Sequence, residues 1–136
     1  MPIHLTRPFD APPAAVWAAW TERLGEWFGA PGSEVEATQD PVPGGAWDLR
    51  MLAPDGNRYG FSGRYLEVEA PSRLVFTLAA DGEPGEETCT VLITPHGTGS
   101  EQDFRQEGGG LTDEQYEQAT AGWALFFERL DAATRA

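Results

Sequence analysis

Residues 112–134, TDEQYEQATAGWALFFERLDAAT, decide the fold. Thr112 followed by Gln115 is a capping box, and Asp113 and Glu114 suit the positive end of the helix dipole that such a box opens. Tyr116, Ala119, Trp123, Phe126, Phe127 and Leu130 then fall on one helical stripe. The spacing predicts a single long amphipathic helix, roughly Asp113 to Thr134. No other stretch of the chain is long enough to cover the apolar face of a sheet, so this helix supplies the cover.

Working backwards, glycine and proline punctuate the chain at short intervals, as turns do in a meandering sheet. Strands are expected at Ser33 to Gln39, Trp47 to Met51, Tyr59 to Tyr65, Leu74 to Leu78, Thr88 to Thr94 and Ser100 to Gln106. Trp47, Leu49 and Met51 alternate with Asp48 and Arg50, which gives one apolar and one polar face. Pro41 to Gly45, Pro54-Asp55-Gly56-Asn57, Pro71-Ser72 and the acidic stretch 81–87 read as turns. Ile3 to Phe9 is a first strand. Asp10 then caps a helix whose first turn holds Pro12 and Pro13 and whose stripe is Val16, Trp17, Trp20 and Leu24. Gly25 is expected to break it from a second short helix carrying Trp27 and Phe28. That helix ends at Gly29, with Pro31 forbidding continuation. The whole, residues 1–136, reads as one α+β domain: a curved antiparallel sheet of about six to seven strands wrapped round a long C-terminal helix.

Composition narrows the partners. Apolar residues make up 40% of the chain, enough for a packed core. Acidic residues outnumber basic ones 22 to 9, a net charge of -13, and all the basic residues are arginine. Such a field repels a phosphate backbone and an anionic bilayer, so no nucleic acid and no membrane insertion are expected. The missing lysine removes Schiff-base chemistry and P-loop phosphate binding. One cysteine, Cys89, fits a reducing compartment, and the first residues lack the pattern of a secretory signal, so a cytoplasmic location is expected.

Several short pieces, in order, resemble the activator of heat-shock protein 90 ATPase homologue family within the START-like (SRPBCC) superfamily. They are Phe9-Asp10-Ala11-Pro12 with Val16-Trp17 and Trp20-Thr21, Trp27-Phe28-Gly29, and Pro43-Gly44-Gly45 with Trp47. Pro54-Asp55-Gly56, Gly63-Arg64-Tyr65, Arg73-Leu74-Val75-Phe76, and Gly122-Trp123 with Leu130 complete the series. The resemblance implies the helix-grip fold and an internal cavity. Glu101-Gln102-Asp103-Phe104-Arg105-Gln106 is more polar than it would suggest.

Ligand sites are mostly apolar with a few placed polar groups, so a subset of the aromatics is expected to line that cavity. The candidates are Trp17, Trp20, Trp27, Trp47, Met51, Tyr59, Phe61, Tyr65, Phe76, Phe104, Trp123 and Phe127. Gly63 and Gly122 either leave room for a ligand or allow close backbone packing. Arg50, Arg58, Arg64 and Arg105 read as outward-facing. His4 and His96 stand apart and no spaced His/Cys cluster exists, so no metal is expected. Cys89 reads as a buried, inert thiol. Gly108-Gly109-Gly110 reads as a flexible connector.

The leading functional expectation is a protein that binds a small hydrophobic or amphipathic molecule, with the hydroxyls of Tyr59 or Tyr65 lending specificity. The acidity favours a neutral or cationic ligand. The resemblance implies two alternatives. One is a chaperone-associated regulator whose acidic surface meets a basic partner. The other is a cavity enzyme of the cyclase or hydrolase type. No residue stands out as catalytic, and no cofactor is expected. Homodimers occur in the superfamily, which leaves a homodimer open here.

Overall fold

Ten elements follow one another along the chain: β1 (Ile3–Phe9), α1 (Pro13–Glu22), α2 (Leu24–Trp27), β2 (Glu34–Gln39), β3 (Ala46–Leu52), β4 (Arg58–Glu69), β5 (Arg73–Ala80), β6 (Glu87–His96), β7 (Gly99–Glu107) and α3 (Asp113–Arg135). They come from a computed structural model that describes residues 2–29, 32–82 and 85–135. Pro31 and the centre of the acidic turn, Glu83-Pro84, lie outside the described residues.

The strands form one antiparallel sheet in the order β1-β7-β6-β5-β4-β3-β2. From β2 onward each strand pairs with the next, which is what hairpin turns between alternating strands produce. β1 sits at the far edge beside β7, so α1 and α2 carry the chain from one edge of the sheet to the other. The long helix lies against α1, α2 and β1. This is the helix-grip architecture.

The capping box at the start of α3 forms as expected. The Gln115 amide donates to Thr112 Oγ1 at 3.1 Å, and the Thr112 amide donates to Gln115 Oε1 at 2.9 Å. The start of α1 differs from expectation. Pro12, not Asp10, is the cap residue, and no side chain caps this end. Proline at the cap position has no side-chain acceptor to offer the amides of the first turn. The break between the short helices falls at Arg23 rather than Gly25, which lies inside α2. A Cβ at Gly25 would sit 3.6 Å from the Ala37 Cβ, ordinary van der Waals contact, so the approach of α2 to β2 does not require this glycine. The second helix stops at Trp27, where the Phe28 amide closes on the Leu24 carbonyl.

Trp20 is the hub of the core. Its ring meets Trp27 edge-on at 4.7 Å between centroids, stacks with Phe104 at 6.0 Å, and touches Phe76, Trp123 and Phe127 at 5.7–6.0 Å. Each such aromatic pair contributes about 0.5–1.5 kcal/mol beyond the area it buries. A buried indole also needs an acceptor, and this explains the polar character of β7. Ser100, Gln102, Phe104 and Gln106 all point inward and are buried. Gln102 Oε1 accepts from the Trp20 indole at 2.7 Å, and Gln106 Oε1 accepts from the Trp123 indole at 2.8 Å. The two glutamines are interior acceptors, which satisfies donors that would otherwise be stranded.

Candidate functional site

Between the sheet and the N-terminal half of α3 lies a cavity of about 470 Å³. Four neighbouring strands build its floor: Phe61 from β4, Leu78 and Ala80 from β5, Glu87 from β6 and Gln106 from β7. α3 supplies Ala119, Gly122, Trp123 and Phe126 as the roof, and Phe28, just past α2, stands at one side. Phe28, Trp123 and Phe126 form a ring cluster, with Phe28–Trp123 edge-on at 5.3 Å and Phe28–Phe126 at 5.1 Å. The volume falls in the range of small-molecule sites, and the lining has their usual character, apolar with a few polar groups.

Gly122 leaves the middle of the roof without a side chain. A Cβ there would meet nothing within 4 Å. Gly63, its counterpart in the sequence, does the opposite. A Cβ on Gly63 would collide with the Thr77 carbonyl and with the Trp47 indole nitrogen. The indole donates to that same carbonyl at 2.9 Å, and the Arg64 amide turns to Thr77 Oγ1 at 3.0 Å. Gly63 therefore serves close packing, and only Gly122 opens space.

The polar end of the cavity is a buried network centred on Glu87, which is 4% exposed. Its carboxylate accepts from Gln106 Nε2 at 3.4 Å, from the Tyr116 hydroxyl at 3.3 Å and from the Gly109 amide. Gln106, in turn, holds the Trp123 indole and accepts weakly from the Cys89 thiol at 3.8 Å. Burial pushes the Tyr116 hydroxyl above its ordinary range, and the adjoining Glu87 pushes it further, so it stays a donor. Burial, with Glu87 behind it, raises the Cys89 thiol far above the reactive range, as befits an inert cysteine. The Gly108–Gly110 connector is not free, because its middle amide is committed to Glu87.

Glu87, Gln106 and Tyr116 were not among the residues the sequence pointed to as site residues. The composition of residues 81–87 predicts a turn there, whereas Glu87 already belongs to β6. The signal was present: Cys89, Val91 and Ile93 form the inward file of β6, and stepping back two residues reaches Glu87. Gln106 follows in the same way from Phe104 in β7.

Of the twelve expected lining residues, Phe61 and Trp123 border the cavity. Trp20, Trp47, Tyr65 and Phe76 line a separate small void of about 10 Å³ with Leu24, Phe28 and Leu74, and Trp27, Phe104 and Phe127 are buried in the same core. Trp17 is half-buried on α1, packed against that core. Met51 and Tyr59 border a different feature, an open groove of about 1110 Å³ at the β2–β5 end of the sheet. Tyr65 donates no bond into the cavity; its hydroxyl meets Gln39 Nε2 at 3.0 Å. Tyr59 is 47% exposed. Glu34, Glu36, Arg50, Arg58 and Asp81 give this groove a charged lining, and its Arg50 is already held by Asp48 at 2.9 Å and by Asp81.

The arginines of the outer face read as expected. Arg105 pairs with Asp103 at 3.1 Å, and Arg64 reaches the Gly44 carbonyl at 3.2 Å. His4 meets Asp103 at 2.7 Å on the exposed face of β1. Among the described residues, no group of three or more His, Cys, Asp or Glu side chains is placed to hold a metal ion. Among them too, no helix is long and apolar enough to cross a membrane.

A family model described as "Activator of Hsp90 ATPase homolog 1-like protein" matches residues 10–135. A solved structure of a protein from Chromobacterium violaceum superposes with a TM-score of 0.89 at 28% identity, covering 99% of this chain and 97% of its own. One from Silicibacter pomeroyi, itself named for the same family, gives 0.86 at 25% identity over 98% and 96%. A protein from Nitrosomonas europaea, 24% identical, shares the fold with a TM-score of 0.86 over 99% and 94%. No curated protein sequence matches the chain.

Proposed function

The chain belongs to the Activator of Hsp90 ATPase homolog 1-like family, and from that premise we propose that it binds a small amphipathic molecule in the cavity beneath α3. Family and fold support a ligand-binding or regulatory role in general. The observation that carries the narrower reading is the cavity of about 470 Å³, apolar on most of its surface, kept open by a glycine in the middle of the covering helix. Helix-interior glycine costs about 1 kcal/mol relative to alanine. A gap under a helix forfeits dispersion contacts as well. A chain that carries both is organised to admit something.

The test uses the gently purified full chain. Native mass spectrometry with organic extraction identifies any retained molecule, and a thermal-shift screen of amphipathic compounds follows. The expected result is a retained mass, or a shift of several degrees for one compound class, that Gly122→Leu abolishes without loss of the fold. Binding unaffected by Gly122→Leu would place the ligand elsewhere. No mass and no shift would direct attention to protein partners.

A further inference from the structure

Glu87 is a carboxylate in the wrong company for a structural ion. It is buried, yet none of the ion pairs among the described residues includes it. Arg7, Arg23, Arg50, Arg73, Arg105 and Arg135 are paired with other carboxylates, and lysine is absent from the chain. Its three partners, Gln106, Tyr116 and the Gly109 amide, are all neutral donors. They satisfy hydrogen bonds but supply no opposite charge, and a buried carboxylate needs charge compensation far more than one more neutral contact.

The cavity that Glu87 borders is also lined by the rings of Phe28, Phe61, Trp123 and Phe126. A carboxylate in a largely apolar space whose lining also holds aromatic rings is the chemistry that recognises an ammonium group. The carboxylate takes its N–H donors and the rings attract its charge. The net charge of -13 favours the approach of a cation over that of an anion.

We propose that the cavity takes an amphipathic amine, its ammonium group on the Glu87 carboxylate and its apolar body among Phe28, Phe61, Trp123 and Phe126. This rests on the cavity reading above and adds the head group. An anionic ligand is disfavoured, because its own charge would meet Glu87 with no arginine to receive it.

Isothermal titration calorimetry with three probes of nearly one shape tests it: 2-phenylethylamine, 2-phenylethanol and 3-phenylpropanoate, near neutral pH. The amine is expected to bind roughly tenfold or more tighter than the alcohol, the range of a charge-assisted hydrogen bond. The carboxylate is expected to bind weakest. Glu87→Gln is expected to erase the amine's advantage and spare the alcohol, while Gly122→Leu removes both. Equal affinities for amine and alcohol in the native protein would overturn the inference and leave the cavity reading standing. An amine advantage that survives Glu87→Gln would overturn it too, by assigning the preference to surface charge. Binding by none of the probes would overturn this inference, while the extraction and thermal-shift screen decide the cavity reading separately. Should Glu87→Gln not fold, salt decides with the native protein. At about 0.5 M salt a buried pair keeps the amine's advantage, whereas attraction by surface charge is screened away.

Discussion

At Gly63 a Cβ would run into the Thr77 carbonyl and the Trp47 indole nitrogen, whereas at Gly122 it would meet nothing within 4 Å. The sign of a substitution therefore reverses between two residues that share one chemistry. Gly122→Ala removes the entropic cost of a helix-interior glycine without creating a clash, and is expected to stabilise the protein by about 0.5–1 kcal/mol. Gly63→Ala must displace a backbone carbonyl and a hydrogen-bonded indole, and is expected to destabilise by about 2 kcal/mol or more. Urea midpoints at constant slope measure both, and a shared sign would refute the packing account. Spacing alone left the two roles of these glycines level, because what distinguishes them is the neighbour across the sheet or the absence of one. The same holds for Glu87. Its inward direction could be read from the alternation of Cys89, Val91 and Ile93, but its isolation from every arginine is a property of three dimensions.

The elements were the more legible scale. The closing helix was readable because capping and periodicity are local, and both capping-box bonds form. The strands were readable because apolar alternation and turn residues mark them. The core was half readable. That Trp20, Phe76, Phe104 and Phe127 turn inward follows from their stripe or alternation. How closely they pack on one another depends on the way α1, α2 and α3 meet, which no periodicity encodes. The first turn of α3 also shapes the polar end of the cavity, since it places Tyr116 on Glu87. Thr112→Ala breaks the reciprocal cap and is expected to cost about 1 kcal/mol. Hydrogen exchange is expected to quicken in the turn around residues 113–118 and to stay slow around Phe127 and Leu130, which are buried against the core. Uniform quickening along the helix would mean that the cap supports the whole fold rather than the cavity's polar end.

For the molecule as a whole, the acidic surface and the interior titrate in different pH ranges. On the acid side, burial pushes Asp103 up, but its hydrogen bonds to His4 and Arg105 outweigh that and hold it below the ordinary carboxylate range. Glu26 is held low by Arg23. A group lowered on folding contributes stability above its unfolded pKa and loses it as pH falls through the folded one. Acid also reduces the self-repulsion of a chain with a net charge of -13, so that loss is partly offset. On the alkaline side nothing offsets. Burial raises the Cys89 thiol from its ordinary value of 9.0, and burial raises Tyr65 and Tyr116 from 10.0. As pH rises past those ordinary values, the unfolded chain releases protons that the folded chain still holds. The unfolded state then binds fewer protons, and the stability of the fold falls with pH. Repulsion grows in the same direction as the chain gains negative charge. Urea unfolding is expected to show a flat midpoint between about pH 6 and 8 and a decline beyond about pH 9. In Cys89→Ala the first part of that decline, near the thiol's ordinary value, is expected to shrink while the tyrosine part above it remains. A decline identical in the variant would mean that surface repulsion, and not the buried thiol, sets the alkaline limit.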